Sequence, residues 1–474
     1  MATIKEFKRE YARAVSEGYA AVFAGAGLSR ASGYVDWKEL VRPLAEDIGL
    51  DIAKESDLIS IAQYFVNEKG NRSAVEQRIL NEFTREISEN ENIKILTRLP
   101  IPTYWTTNYD NLIENALENN KRKSDIKITQ KDLAVNIYDR DAVVYKMHGD
   151  VRRPSETVLI KEDYEMYEKD RSLFRTALQG ELLSKTFLFI GFSFNDPNLN
   201  YILSQLRVLM GKSIRNHYCF LKKVNADDYS CNSDYEYEAE KQRLRVHDLR
   251  LYGIQAVELD SHDEITNILH DIERKYLCKS IFISGSYSMA TEGWDNKSID
   301  SFAYNLAKHL VYNNCRIVSG FGLGIGSPVI NGALDEIMSS KYRHINEYLC
   351  LRPFPQNITD PEKRKNLWRK YREDMISQAG IAVFMFGNKE VNGSIVNADG
   401  MLEEFEIAKS LGKAIIPIGS TGGSSSIIYK EMYAYKDNYS YLSPYWDKLC
   451  DNKDPNFLVD LLHDIVKKTA TIMK

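Results

Sequence analysis

The sequence predicts an α/β protein of two open parallel-sheet domains in tandem, residues 1–275 and 276–474. Three observations predict it. Short apolar segments alternate with stretches of helical periodicity along the chain, the pattern that builds parallel sheets. Glycine-rich and polar clusters fall repeatedly at the ends of those segments, where open α/β sheets bind ligands. A length of 474 residues also exceeds what one hydrophobic core fills.

Residues 1–17 read as a charged amphipathic helix with no secretory apolar region. The first strand is Tyr19-Ala20-Ala21-Val22-Phe23-Ala24, short, apolar and bounded by glycine. It ends in Gly25-Ala26-Gly27-Leu28-Ser29. The two glycines permit a tight turn and close approach to a phosphate. Ser29 is placed to cap the next helix, whose N-terminus would offer free N–H groups to an anion. The dinucleotide fingerprint is incomplete: its third glycine would fall at Arg30, and no acidic residue follows at the expected distance. A G-A-G turn alone is equally a plain structural turn.

The next strand, Thr103-Tyr104-Trp105-Thr106-Thr107, is β-branched and aromatic, and it ends at Asn108, Tyr109 and Asp110. Val143-Val144-Tyr145-Lys146-Met147 ends at His148, Gly149 and Asp150. Thr186–Ile190 ends at Gly191, Phe192, Ser193, Phe194, Asn195, Asp196 and Pro197. Taken singly, an asparagine after a strand is usually a turn residue and a histidine usually structural. Four clusters at four strand ends converge on one pocket, and their types suit a dinucleotide. Residues 225–240, polar, acidic and tyrosine-rich, read as a surface loop leading into a helix.

The second domain repeats the pattern. Ile281-Phe282-Ile283 ends in Ser284-Gly285-Ser286, and Phe302, Leu306 and Leu310 mark a helix. Cys315-Arg316-Ile317-Val318 ends in the run 319–326, with glycine at 320, 322, 324 and 326. So dense a glycine turn lets backbone amides form a concave anion site. Further strands are expected at 347–351, 381–386 and 414–418, with helices at 365–378 and 402–411.

Composition excludes several classes. Hydrophobic content of 43% and charged content of 27% describe an ordinary globular protein. A net charge of −5, with Lys and Arg dispersed, leaves no footprint for nucleic acid. No apolar run approaches the roughly 18–20 residues that span a bilayer. The six cysteines, at 219, 231, 278, 315, 350 and 450, are widely scattered. They form no metal-ligand pair and read as reduced thiols in a cytoplasmic protein.

Residues 1–275 resemble the sirtuin family, which carries G-A-G-x-S, N-x-D, H-G and G-T-S in this order. The matches are Gly25, Ala26, Gly27 and Ser29; Asn108 and Asp110; His148 and Gly149; Gly191 and Ser193. The resemblance implies NAD binding at Ala24, Gly25, Ala26, Gly27, Ser29, Asp36, Asp110, Gly191 and Ser193, with Asn108 and His148 catalytic. Two departures are informative. Sirtuin deacylases usually carry a zinc module of two C-x-x-C pairs, absent here, and their Asp-Phe-Arg is replaced by Asp36-Trp37-Lys38. Both argue against docking an acyl-lysine peptide, and hydrolysis of NAD is the chemistry left. Nicotinamide leaves as a neutral molecule, so no general acid is needed. Asn108 has donors and an acceptor to orient ribose hydroxyls or water, and His148 can act as base near neutral pH.

Residues 276–474 resemble the SLOG superfamily of Rossmann-like nucleotide sensors, through Ser284-Gly285-Ser286 and the glycine run 320–326. The phosphoribohydrolase motif of the Lonely Guy branch is not intact; the nearest stretch is Asp399-Gly400-Met401-Leu402-Glu403-Glu404, which favours binding over a second catalysis. Arg372 could fork to phosphate, Lys389 pair with another, and Glu404 accept from ribose hydroxyls, although each alone reads as a solvated surface charge.

The order sirtuin-like then SLOG resembles the effector family of the Thoeris antiphage systems. Supporting segments are Tyr104-Trp105-Thr106-Thr107-Asn108-Tyr109-Asp110 and Val144-Tyr145-Lys146-Met147-His148-Gly149-Asp150. That resemblance implies an NADase activated by a cyclic ADP-ribose isomer made by a separate TIR-domain protein. It also implies a homo-oligomer, commonly a tetramer, with no cofactor beyond NAD as substrate and no metal. The signal would bind at Gly285, Ser286, Leu323, Gly324, Arg372, Lys389, Gly400 and Glu404. Two rivals remain: a protein deacylase, which acyl-peptide turnover would reveal, and a sensor without catalysis, against which Asn108 and His148 weigh.

Overall fold

Seven strands make the first sheet: β1 (Ala20–Ala24), β2 (Thr103–Thr106), β3 (Ser124–Lys127), β4 (Ala142–Lys146), β5 (Thr186–Ile190), β6 (His217–Lys222) and β7 (Ile254–Leu259). They lie in the order β3-β4-β2-β1-β5-β6-β7, every neighbouring pair parallel. The computed structural model to which they belong describes residues 2–194, 196–211, 215–355 and 357–472. It divides into two compact units, Met1–Glu273 and Arg274–Lys474.

Parallel sheets are covered on both faces, so β1 and β5 read as unbroken apolar runs and are buried along their whole length. Phe23 stacks on Phe189 across them, with ring centroids 5.3 Å apart. Trp105 of β2 stacks on Tyr145 of β4 at 4.2 Å. The strand order reverses between β1 and β5. Such a reversal opens a crevice beyond the carboxyl ends of the two strands. The first helix, Ile4–Ser16, begins at a capping box made by Thr3 and Glu6.

Three strands carry no sequence signal of the kind used above. β3 reads Ser-Asp-Ile-Lys, a polar tetrapeptide, yet Asp125 and Lys127 are buried because they pair with each other at 2.9 Å. β6 opens with a buried histidine, His217, which burial holds down to about 3 and therefore neutral. β7 lies at the far edge, distant from any glycine cluster. Residues 225–240 are also less loop-like than expected, since the helix Asn232–Leu251 starts well inside them. Only Val246 and Leu249 of that helix are buried, so no apolar stripe marks it.

The second unit is built around β8 (Ser280–Ser286), β9 (Arg316–Ser319), β10 (Leu349–Leu351), β11 (Ile381–Phe386) and β14 (Ala414–Pro417), in the parallel order β10-β9-β8-β11-β14. Here the reversal falls between β8 and β11. An antiparallel hairpin, β12 (Asn388–Val391) and β13 (Ser394–Asn397), follows β11 directly. It is short, its residues from Glu390 on are exposed while Asn388 is buried, and no sequence pattern marks it. Residues 347–351 form less strand than expected, because a one-turn helix, Ile345–Tyr348, precedes β10. Phe302, Leu306 and Leu310 are buried along the helix Asn296–Tyr312. The helix Gly326–Ser339 meets it at Gly332, where any Cβ would overlap the Tyr304 carbonyl. Among the described residues, no helix is long and apolar enough to cross a membrane.

Candidate functional site

At the crevice beyond β1 and β5 the two strand ends meet backbone to backbone. Gly25 N–H donates to the Ile190 carbonyl and Gly27 N–H to the Gly191 carbonyl, both at 2.9 Å. A Cβ on Gly27 would stand 2.9 Å from Gly191 Cα, and one on Gly25 or Gly191 would overlap the facing main chain. Gly191 also has φ +64°, the left-handed region. These three glycines let two strand ends touch, a role distinct from the approach to phosphate expected of Gly25 and Gly27. Two further expectations need correction. Ser29 does not cap a helix: it lies inside the five-residue helix Ala26–Arg30, whose N-cap is Gly25. The amides of Gly25, Gly27 and Leu28 are all taken by carbonyls, so the turn does not offer them to an anion.

Ser29 instead links two loops. Its hydroxyl accepts from Asn108 Nδ2 at 2.8 Å and donates to Asp110 Oδ2 at 2.7 Å. Asn108 Nδ2 also donates to the Gly25 carbonyl at 3.0 Å. A carbonyl only accepts, so the amide orientation is determined and both its hydrogens are used. Asn108 therefore keeps Oδ1 as its working atom, an acceptor; the donors expected of it are engaged. Asp110 Oδ1 accepts from Leu112 N–H at 3.0 Å, which closes the turn after β2.

Beneath this network lies a fully buried ammonium. Lys146 Nζ sits 3.1 Å from both Glu114 Oε1 and Asp150 Oδ2, and it donates to the Asp110 carbonyl. Arg152 closes on Asp150 from outside at 2.7 Å. Burial disfavours the ammonium, but Glu114, Asp150 and Asp110 outweigh it and hold Lys146 above the ordinary lysine range. Burial likewise raises Glu114, whereas Arg152 and Lys146 overcome burial at Asp150 and lower it. One cation thus ties the loop after β2 to the loop after β4.

His148 follows β4 with its carbonyl bonded to Val158 N–H at 2.9 Å. Its ring is buried, edge-on to Tyr164 at 5.6 Å. Nε2 lies 3.0 Å from Asp196 Oδ2, within ion-pair range, yet it is out of line and has no hydrogen-bond partner. Asp196 is the N-cap of the helix Pro197–Met210, its Oδ1 accepting from Leu199 N–H at 2.8 Å. Burial would raise its carboxyl, but His148 and the helix amides prevail and lower it. Asp196-Pro197 before a helix was the only sequence sign of this residue. Asn195 lies outside the described residues. Of the other expected positions, the Ala24 carbonyl accepts from Thr106 Oγ1 at 3.0 Å, Ala26 starts the short helix, and Ser193 is exposed. Asp36 caps the helix Trp37–Asp47 and stands 3.4 Å from Arg30.

In the second unit the expected positions gather at the carboxyl ends of β8, β9 and β11. Tyr287 N–H donates to the Leu323 carbonyl at 2.9 Å. Cβ atoms on Gly322 and Gly324 would meet Gly285 and Tyr287. The Leu323 side chain is exposed, and Ser286 Oγ donates to the Asn388 carbonyl at 3.2 Å. Arg372 and Glu404 are not solvated surface charges. Arg372 is buried on the helix Pro361–Ser377, donating to Glu403 Oε2 at 2.7 Å and Glu404 Oε1 at 3.3 Å over the faces of Phe354 and Trp368. Glu404, raised by burial, accepts from Ser284 Oγ at 2.7 Å. Gly400 is glycine where the guanidinium crosses the start of the helix Asp399–Ser410: a Cβ would be 2.7 Å from Arg372 Nη2. Lys389 pairs with Asp399 beside it. Sequence reading had Ser284 and Glu403 inside quoted segments but gave them no role, and it missed Phe354 and Trp368, which no local motif marks. Among the described residues, no group of three or more His, Cys, Asp or Glu is placed to hold a metal ion.

Residues 102–247 match the model of a SIR2-like domain, and residues 264–469 that of the Sir2- and TIR-associating SLOG family. The chain is 47% identical to the NAD(+) hydrolase ThsA of Cytobacillus dafuensis, over 100% of this chain and 96% of that one. It is 47% identical to the protein of the same name from Bacillus cereus (strain MSX-D12), over 88% and 87%. A third, from Acinetobacter baumannii (strain 532279), is 44% identical over 96% of each.

Proposed function

The chain belongs to the family of the NAD(+) hydrolase ThsA proteins, and from that premise we propose that it hydrolyses NAD in the crevice beyond β1 and β5, as the effector of an antiphage defence. The observation that carries this reading is that Asn108, after β2, bonds the loop after β1 at Gly25, while His148, after the neighbouring β4, stands 3.0 Å from Asp196 beyond β5, so that both meet the loops at the strand-order reversal. The C1′–nitrogen bond of the nicotinamide riboside breaks, and its electron pair leaves with nicotinamide, now neutral. Water adds to the oxocarbenium-like C1′ and yields ADP-ribose. Asn108 Oδ1 accepts from that water or from a ribose hydroxyl, and His148 takes the proton that water loses. A general base of this kind contributes about 10²–10⁴-fold. NAD itself lies along the Gly25–Ser29 turn, close to Ala24, Asp36, Asp110, Gly191 and Ser193.

The second unit binds a cyclic ADP-ribose isomer made by a TIR-domain protein and so releases hydrolysis. Gly285, Ser286, Leu323, Gly324, Lys389 and Gly400 line the approach; Arg372 and Glu404 read phosphate and ribose. In the ligand-free arrangement two carboxylates hold Arg372, and the signal's phosphate competes with them. A coupling of about 1–3 kcal/mol gives roughly 5–150-fold activation. The protein acts in the cytoplasm as a homotetramer, without zinc. Tyr201, Val208 and Leu209, exposed on one helix of the first unit, support self-association. The test is nicotinamide release from NAD with and without cyclic ADP-ribose isomers. Release that rises with one isomer is expected; no release under any isomer, or turnover of an acyl-lysine peptide instead, overturns the reading.

A further inference from the structure

The mechanism above uses His148 and leaves Asp196 without a task. Four observations single out Asp196. Its Oδ2 stands 3.0 Å from His148 Nε2. Nε2 is buried and has no hydrogen-bond partner, which is costly for a polar atom unless a partner is within reach. Asp196 is itself held independently, because Oδ1 takes the Leu199 amide at the head of a 14-residue helix. Before it in the chain, Gly191 and Phe194 both adopt positive φ, +64° and +57°. A left-handed conformation at phenylalanine persists only where the surroundings enforce it.

No other charge competes for the imidazole among the described groups packed on it. Tyr164 of the helix Lys161–Glu165 and Tyr167 of the helix Tyr167–Ser184 face it with their rings. Both phenols are raised by burial and stay neutral. Arg171, on the same helix as Tyr167, gives its N–H groups to the Ile128, Met147 and Glu156 carbonyls. Asp150, two residues on, is held by Lys146 and Arg152.

We propose that Asp196 is the positioning residue for His148: it holds Nε2–H, leaves the Nδ1 lone pair to accept the proton from water, and stabilises the imidazolium that results. This rests on the hydrolytic reading above. That role requires the ring to turn until Nε2–H points at Oδ2, 3.0 Å away. The partner of one ring nitrogen determines which nitrogen is the base. The proton taken at Nδ1 passes afterwards to solvent, and Asp196 stays ionised throughout.

The test compares the full chain with Asp196→Asn and Asp196→Ser, both of which keep a good helix cap while removing the charge. Two readouts are used: the pH profile of nicotinamide release, and the titration of the histidine 13Cε1 resonances, with His148 assigned by its loss in His148→Ala. In both variants the His148 midpoint moves down by about one pH unit or more, because the imidazolium has lost its anion. The acid limb of kcat/KM moves with it. Turnover falls about tenfold or more with KM little changed, as for a base that loses orientation. An unmoved His148 midpoint, or unchanged or increased turnover with an unmoved acid limb, overturns the proposal. If the unaltered chain releases no nicotinamide under any signal, the hydrolytic reading has failed, and the His148 titration still decides the pairing.

Discussion

Asn108 and His148 sit at strand ends that a two-residue comparison makes testable. Asn108→Ala removes the acceptor Oδ1 and the bonds to Gly25 and Ser29, and His148→Ala removes the base. Each should lower nicotinamide release by about 10²-fold or more with the circular dichroism unchanged. A folded Asn108→Ala protein with near-native turnover would remove Asn108 from the chemistry. Lys146 acts differently, through stability. Lys146→Met leaves Glu114 buried without its ammonium and Asp150 with Arg152 alone, and loss of one partner of a buried pair costs about 3–5 kcal/mol. The urea midpoint checks this, and adding Glu114→Gln and Asp150→Asn to Lys146→Met should recover part of the loss. Asparagine, histidine and the G-A-G turn were legible at this scale because each closes an apolar run. Lys146, Glu114 and Asp196 were not. Their partners lie 32 and 48 positions away along the chain, beyond the reach of any motif.

At the scale of elements, the first crevice depends on strand ends that touch through glycine. Gly191→Ala places a Cβ against the Leu28 amide at a positive φ. Overpacking of this kind costs roughly 1–3 kcal/mol, and here it also pushes β1 and β5 apart. Lower thermal stability together with lost turnover is the expected result; a variant with native turnover would show that the strand ends need not touch. The loops after β4 and β5 also contribute to the acid sensitivity of the first unit. Asp150 and Asp196 have native carboxyls below the ordinary aspartate value. A lowered native pKa contributes stability that is complete above the unfolded value and is lost as pH falls through the native one. Urea unfolding should therefore weaken from about pH 5 to about pH 3, and less steeply in Asp150→Asn. An identical slope in that variant would assign the sensitivity elsewhere.

For the whole molecule, the regulatory prediction separates the two units. Arg372→Ala should lose the response to cyclic ADP-ribose isomers while its basal turnover stays that of the unaltered chain. Hydrogen bonds to a charged ligand are worth about 1.5–3 kcal/mol, so calorimetry should show roughly tenfold or greater weakening. A normal response in Arg372→Ala, or binding of the signal that survives it undiminished, would place the sensor elsewhere. Glu404, raised by burial, adds a pH dependence of opposite sign to that of Asp150. A raised native carboxyl destabilises the fold as pH rises from its unfolded value through its native one.

The alternation of apolar runs with helical stretches determined the α/β class and the parallel sheets, because burial on both faces of a strand leaves a local imprint on composition. The same logic located the strand-end clusters around Gly25, Asn108, His148, Ser284 and Gly320. Partnership was decided only in three dimensions. The amides of Gly25, Gly27 and Leu28 are engaged, Ser29 is a bridge between loops, and Arg372 is buried against Glu403 and Glu404 over the faces of two aromatic rings. A charged residue reads the same in sequence whether water or a distant carboxylate receives it. The difference is set by chain closure over tens of residues, which composition and spacing do not record.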